Sequence, residues 1–334
     1  MKVTIKEVAQ AAGVSIGTVS RVLNGKDRVS QATRAKVQAA VESLDFKPDL
    51  TARAMIHKQT QSIGLVVPAL TNEYWSALAE YVQEAAWNKG YTMLLCTAGY
   101  QLEKHLSCIQ TLIDRKVDGI IAGIRLHDPL EQEQLNLASW PNVKMVSLVQ
   151  EHPNMLLIGV DQYASSIRAV EHLISLGHRS IAYIGYSEDR ERGYRHALEL
   201  HGIPIAEELI VRGDGSFQSG YHGVMQLKEQ GTAYTALFCW NDMTALGALQ
   251  ACEAIGLRVP QDVAVVGYDD IPMAKLVKPA LTSVHQPLKE IGRTAVHRLL
   301  DLIAGVEYSS SPNILFDAEL VIRDSCGSHL RNEI

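Results

Sequence analysis

The sequence predicts an α/β protein in which a small all-helical head precedes a larger body of parallel sheets. Three observations carry this. Apolar residues recur at helical spacing over residues 1–47. From Ser62 onward, short β-rich runs alternate with amphipathic stretches, the pattern of parallel strands joined by crossover helices. Charge divides at the same place: residues 1–60 hold ten Lys/Arg against five Asp/Glu, whereas the remainder holds 21 against 32. A basic head on an acidic body suits a polyanionic partner for the head.

The head resolves into three helices. Thr4-Ile5-Lys6-Glu7 is a capping box, and Ile5, Val8, Ala9 and Ala12 follow as one apolar stripe. Gly13 breaks the helix. Ser15 caps a second one, with Ile16, Val19, Val22 and Leu23 expected inside and Gly17, Ser20, Arg21 and Asn24 on the exposed face. After the Asn24-Gly25 turn, Ser30 caps a third helix with Val37, Val41 and Leu44 inside, and Pro48 closes the region. A capped helix, a glycine turn and a second helix with a polar outer face describe a helix-turn-helix. Its second helix would enter the major groove of DNA. Arg21 carries the fork of donors that suits guanine or phosphate. Thr4, Ser15, Thr18 and Ser20 can donate to phosphates, which sets register without reading sequence. A helical interaction module with a solvated polar face would show the same spacing. Residues 49–60 form a linker with helical propensity and little core, too short to persist as an isolated helix.

The strands of the body come next. They are expected at Ser62–Val67, Tyr91–Thr97, Val117–Ile124, Lys144–Val149 and Leu157–Val160, then at Ser180–Tyr186, Thr235–Trp240 and Val263–Tyr268. Helical stripes lie between them, such as Leu102, Leu106, Ile109 and Ile113, or Ala245, Leu246, Leu249 and Ala254. The two series part near Asp161–Tyr163, which predicts two similar lobes.

Composition narrows the function. The chain has 334 residues, 47% apolar and 20% charged, enough for two or three folded units. No apolar run approaches the roughly 18 residues of a membrane helix, and the start of the chain, with Lys2, Lys6 and Glu7, has no signal-peptide pattern. Five cysteines without CxxC spacing read as reduced thiols of a cytoplasmic protein, neither a disulfide framework nor a zinc site. There is no GxxxxGK[ST] loop, GxSxG elbow or HExxH helix, and Gly213-Asp214-Gly215 lacks the later glycine of a dinucleotide loop. No enzyme activity, cofactor or metal is expected.

Longer strings then become recognisable. Thr4 to Ala9, Ala12-Gly13-Val14-Ser15 and Thr18 to Asn24 resemble the head of the LacI–GalR family of bacterial transcription regulators. The likeness continues through Val29-Ser30, Thr33-Arg34 and Pro48, and along the body through Val117-Asp118-Gly119, Gly177-His178-Arg179, Gly256 to Pro260, Gly267 to Asp270 and Thr282 to Pro287. The resemblance implies a helix-turn-helix domain (1–47), a hinge helix and linker (48–60) and a body (61–334) that binds an effector and dimerises. That body would be periplasmic-binding-protein-like of type I, with lobe 1 at about 61–161 and 287–319 and lobe 2 at about 162–286 and 320–334. It also implies a homodimer on a pseudo-palindromic operator. No heptad tail follows residue 320, which favours a dimer over a tetramer.

Site residues follow from the same resemblance. The two residues after the recognition-helix serine read bases; here they are Ile16, which can meet a thymine methyl, and Gly17, which has no side chain. The hinge matches at Ala52, Arg53 and Met55, with Met55 at the place of a leucine wedge in the minor groove. The effector cleft lies between the lobes, at the carboxyl ends of the strands. Asn72, Tyr74 and Trp75 follow the first strand, with Glu73 where the family often has proline. Arg190 matches the effector-binding arginine in an Arg-x-x-Gly-Tyr pattern, and Asn241 and Asp269 follow later strands with groups suited to hydroxyls. Asp242 is expected to cap the next helix and Asp270 to sit in a turn. Phe217 could line the cleft, since Gly215 holds the family's aromatic position. Val149-Gln150 replaces the usual aspartate and arginine, and Arg125 is a further cation after the third strand. The expected function is a ligand-responsive DNA-binding repressor with a sugar-like effector. The alternative is a cytosolic solute-binding protein with no role in transcription.

Overall fold

The head's first helix begins where the sequence supplies its cap. The structure is a computed structural model and describes residues 3–23, 29–46, 59–124, 140, 143–152, 155–186, 189–306 and 313–331. Asn24, Ala52, Arg53, Met55 and Arg125 lie outside the described residues. Residues 1–61 and 62–334 form two separate compact units. In the first, α1 (Ile5–Ala12), α2 (Ile16–Leu23) and α3 (Gln31–Ser43) pack around Val8, Val19 and Val37, all fully buried. Gly13 takes the left-handed conformation (φ 64°) that ends α1 and starts the turn. Ser30 caps α3 by accepting the Thr33 N–H at 3.3 Å.

The body holds two six-stranded sheets. The first has β1 (Ser62–Val67), β2 (Thr92–Thr97), β3 (Gly119–Ala122), β4 (Lys144–Ser147) and β5 (Leu156–Val160), joined late in the chain by β11 (Ile314–Phe316), in the order β11-β5-β4-β3-β1-β2. The second has β6 (Ile181–Gly185), β7 (Ile210–Arg212), β8 (Ala236–Cys239), β9 (Ala264–Asp269), β10 (Thr282–His285) and β12 (Glu319–Val321), in the order β12-β10-β9-β8-β6-β7. All pairings are parallel except β10 with β12. Central strands such as β3, β8 and β9 are buried along their whole length, as parallel strands covered on both faces must be.

Seven helices clothe these sheets among the described residues: α4 (Glu73–Trp87), α5 (Leu102–Asp114), α6 (Gln162–Ser175), α7 (Asp189–Leu200), α8 (Phe217–Glu229), α9 (Asp242–Ala254) and α10 (Leu288–Ile303). Helix α10 follows strand β10 of the second sheet yet packs on α4, β3 and β4 of the first. The chain therefore passes between lobes after β5, after β10 and after β11. Away from these crossings the Met273 N–H donates to Glu73 Oε2 (3.1 Å), a bond between lobes that the family's proline could not make. Predicted and observed stripes differ on α9. Its buried face is Ala245, Ala248, Ala251 and Cys252, while Leu246 and Leu249 turn outward to line a groove of about 790 Å³ with Phe217 and Val277. Phe217 thus belongs to that outer groove.

Candidate functional site

Helix α2 carries the exposed face of the head. Ser15 Oγ accepts the Thr18 N–H (3.2 Å) and lies 2.9 Å from the Thr18 hydroxyl, so both predicted phosphate donors sit in one turn. The Thr4 N–H and hydroxyl both donate to Glu7 Oε2 (2.6 and 2.9 Å). The backbone N–H of Thr4, with its hydroxyl, holds the Glu7 carboxyl below its ordinary range. Ile16 does not face inward as its spacing predicts; it is 45% exposed. The helix turns only Val19 and Val22 fully onto the core, and Ile16, its first residue, precedes that contact. It stands beside Gly17, where an added Cβ would meet nothing nearer than Ser15 Oγ at 3.7 Å. Arg21 is exposed and Ser20 half-buried on the following turn.

In the body, Arg190 is at the start of α7 and only 4% exposed, buried where its sequence position also allowed a surface charge. Its guanidinium carbon lies 3.7 Å from the Tyr268 ring centroid and 4.8 Å from that of Trp240, both within cation–π range. Each nitrogen has an acceptor: Nε donates to Gln162 Oε1 (3.0 Å), Nη1 to the Trp240 carbonyl, and Nη2 to Asp269 Oδ1 (3.5 Å). Asp269 ends β9 in a strained backbone conformation (φ 111°) and also accepts from Gln286 Nε2 at 2.7 Å. Gln162 and Gln286 stand at two of the places where the chain passes between the sheets. Gln162 also reaches across to the Val149 carbonyl (3.4 Å). The Arg190–Asp269 pair is therefore fastened to two crossings at once.

The other residues expected in the cleft stand at the starts of α4 and α9. Asn72 Oδ1 accepts the Tyr74 N–H (3.0 Å) and starts α4. Tyr74 and Trp75 are both buried and meet edge-on, 4.9 Å between centroids. Trp75 lies against Gly123 at the carboxyl end of β3, so close that a Cβ there would stand 2.6 Å from the indole. Asn241 is the cap of α9, accepting the Thr244 N–H (2.8 Å) and donating to the Gly215 carbonyl (3.0 Å). This corrects the expected role of Asp242. That carboxylate is fully buried and accepts instead from the Ser283 hydroxyl (2.5 Å) and the Ile271 N–H (2.8 Å). Burial, and then the charge of Asp269, push its pKa up despite those two hydrogen bonds. Asp270, in a left-handed turn (φ 53°), pairs with Arg323 (2.6 Å) and His285 (3.0 Å).

Beside the cleft, Glu191 is 3% exposed and paired with Arg195 (2.8 Å) and Arg212. Burial alone would raise its pKa; the hydrogen bonds from Arg212 and Arg195 outweigh burial and lower it. Gly193 of the Arg-x-x-Gly-Tyr pattern leaves no room for a Cβ beneath the Tyr163 carbonyl, and Tyr194 donates to the Ile181 carbonyl (2.8 Å). The pattern thus locks α7 in place and fixes where Arg190 starts the helix.

A helix-turn-helix ahead of two parallel-sheet lobes has known counterparts. Residues 4–49 match the model of bacterial regulatory proteins, lacI family, and residues 170–326 that of the periplasmic binding protein-like domain. The HTH-type transcriptional regulator DegA of Bacillus subtilis (strain 168) is 35% identical over 333 residues, spanning 97% of this chain and 98% of DegA. The chain belongs to the lacI family of bacterial regulatory proteins. A lac repressor dimer bound to operator and the anti-inducer ONPF has the same fold (TM-score 0.87, 32% identity, 98% of this chain and 99% of that one). The transcriptional regulator CelR in complex with cellobiose matches with a TM-score of 0.71 and 32% identity over 97% of this chain and 100% of that one. As a lacI-family member the chain is a DNA-binding transcriptional regulator under ligand control and, like these relatives, not an enzyme.

Four residues that contact Arg190 or Asp269 escape sequence reasoning: Gln162, Gln286, Trp240 and Tyr268. Gln286 lies inside a quoted family string, and Trp240 and Tyr268 stand beside the singled-out Asn241 and Asp269, so proximity was the available signal. Trp240 also answers the missing aromatic at Gly215. A Cβ on Gly215 (φ 75°) would stand 2.5 Å from the indole, so the tryptophan fills that space from the end of β8.

Proposed function

We propose that this regulator is a homodimeric repressor whose hold on a pseudo-palindromic operator is set by a neutral, sugar-like molecule in the cleft. The observation that carries the reading is the fastening of Arg190 and Asp269 to Gln162 and Gln286. A ligand that takes hydrogen bonds from this pair must alter bonds at the lobe crossings, and so alters the preferred angle between lobes. Operator affinity and effector affinity are then coupled reciprocally. The pair also argues for the ligand's chemistry. Arginine and aspartate offset each other's charge, the amide groups of Gln162 and Gln286 bond to them, and the Trp240 ring beside Arg190 would give a pyranose a flat apolar face, with Asn72, Tyr74, Trp75 and Asn241 proposed to complete the site. The cellobiose complex of CelR supports the same class.

On the head, Ile16, Gly17 and Arg21 would meet base edges, with Thr4, Ser15, Thr18 and Ser20 on phosphates and Asn24, Ala52, Arg53 and Met55 completing the contact. The cytoplasm, where its DNA lies, is the place of action. The exposed side chains of Met273 (40%) and Leu276 (68%), the former lining the groove of α9, supply apolar surface for a second copy. The lac repressor dimer supports this stoichiometry.

A thermal-shift screen of sugars, polyols, sugar acids and nucleobases tests the reading. A ligand at 100 times its Kd stabilises by about 2.7 kcal/mol, which raises Tm by roughly 5–10 °C. A neutral sugar should do so with the native chain and fail with Asp269→Ala, while that variant still binds its promoter fragment. A nucleobase hit in place of any sugar would overturn the proposed class, and an intact response in Asp269→Ala would move the site elsewhere.

A further inference from the structure

Three of the five thiols, Cys239, Cys252 and Cys326, are buried; Cys96 and Cys108 are partly exposed. Cys96 lies on β2, which bonds on one side only, to β1, and forms the edge of the first sheet. Helix α5 packs on β2 and on its neighbour β1. Cys96, Leu94, Leu106 and Cys108 all pack against the same small core around Ile109 and Leu112. Cys108 Sγ lies 3.9 Å from the carbonyl oxygen of Thr97, the residue next to Cys96, so the two thiols are neighbours across β2 and α5. Two thiols from two different elements are thus held together at a surface that small solutes reach.

We infer that Cys96 and Cys108 form a reversible dithiol–disulfide site on the edge of the first lobe, taking hydroperoxides as oxidant. Because β2 and α5 already place the two cysteines side by side against one core, closing the bond requires ordering little chain. Cys96 as thiolate attacks one peroxide oxygen; an S–O bond forms, the O–O bond breaks, and the alcohol or water leaves with a proton from solvent. The Cys108 sulfur then attacks the sulfenic sulfur; the S–S bond forms, the S–O bond breaks, and the oxygen leaves as water with the Cys108 proton. Two thiols lose two electrons in all, and the hydroperoxide gains them. Burial and the neighbouring Cys96 hold the Cys108 proton more tightly than usual, which argues against Cys108 as the first attacker and makes its own attack in the second step faster as pH rises. Two thiols of a partner such as glutathione reverse the reaction by exchange.

Acidity alone would select a different cysteine. Cys326 lies 3.3 Å from His172 Nε2, and although burial opposes it, that contact with others brings its pKa to about 6. Yet Cys326 is only 2% exposed and has no second thiol in contact with it in any described interaction, so a disulfide there is not open to it.

The full-length reduced protein is titrated with hydrogen peroxide, its free thiols counted after denaturation, and unreduced peptides mapped by mass spectrometry. Two of the five thiols should disappear together. A peptide pair joined through Cys96 and Cys108 should appear, and dithiothreitol should restore both thiols. Cys96→Ser and Cys108→Ser should each abolish the joined pair, and Cys326→Ser should leave it intact. The inference is overturned if thiol loss maps to other cysteines, if Cys96 is carried to the sulfinic acid without a disulfide, or if all five thiols survive peroxide that oxidises dithiothreitol fully. The map of the native chain decides the matter even where a serine variant fails to fold.

Discussion

Asp242 sits enclosed behind the cleft with its carboxyl pKa raised by burial and by Asp269. The native state therefore binds this proton more tightly than the unfolded chain does. The stabilisation from that proton is complete below the ordinary aspartate range and is lost as pH rises through the raised value. Asp242→Asn keeps the shape and removes the titration, so its Tm should fall less than the native chain's from about pH 4 upward, measured by calorimetry. Identical pH slopes for the two proteins would mean that Asp242 is ionised at no extra cost. Arg190 is the second test at this scale. Arg190→Ala leaves Asp269 and the Trp240 carbonyl short of a donor in a buried place. Breaking one side of such a pair costs about 3–5 kcal/mol, which denaturant melts can resolve. Arg190 and Asp269 are legible in the sequence because each lies within a family string, and Asn241 because it follows a strand end. Gln162 and Trp240 are not, because what selects them is contact with Arg190 across 28 and 50 positions of chain.

Among the elements, the head helices are the most legible, since caps, a glycine turn and 3.6-residue spacing all agree there. The exception is Ile16, and it shows the limit of spacing. An eight-residue helix makes barely two turns, so its first residue can lie on the apolar stripe and still miss the core. Gly17 next to it has open space around its Cα. Gly17→Ala should stabilise the head by about 0.5–1 kcal/mol, because alanine loses less backbone freedom in a helix. The same substitution should weaken operator binding if the backbone approaches DNA closely there; fluorescence anisotropy and thermal melting of one preparation report both. In the body, the strands of five or six residues are foreseen to within a residue or two. β10 is not foreseen as a strand, and neither are β7, β11 and β12, whose three residues offer too little alternation to read. On α9 the small residues Ala245, Gly247 and Ala248 turn inward because α8 approaches closely, which leaves the leucines outside. Hydrophobicity alone ranks them the other way.

At the scale of the molecule, charge separation makes a prediction of its own. The ten cations of residues 1–60 should displace counterions from DNA, whereas the acidic body repels it. Operator affinity should fall by about 10³- to 10⁵-fold between 50 and 200 mM salt if six to ten phosphates are neutralised. A flat salt response in filter binding would contradict a basic head pressed on a duplex. The two-lobed plan was legible from strand–helix alternation, but the late crossing of α10 back to the first sheet came only with the family string Thr282 to Pro287. Local pattern does not encode which sheet a returning helix joins. One feature of the cleft bears on selectivity. Arg190 has protein acceptors on Nε, Nη1 and Nη2, and Asp269 holds Gln286. An incoming molecule must replace several of these bonds together. A compound with a single hydroxyl leaves more of them broken than it restores, so discrimination begins with the number and spacing of the visitor's hydroxyls before its outline matters.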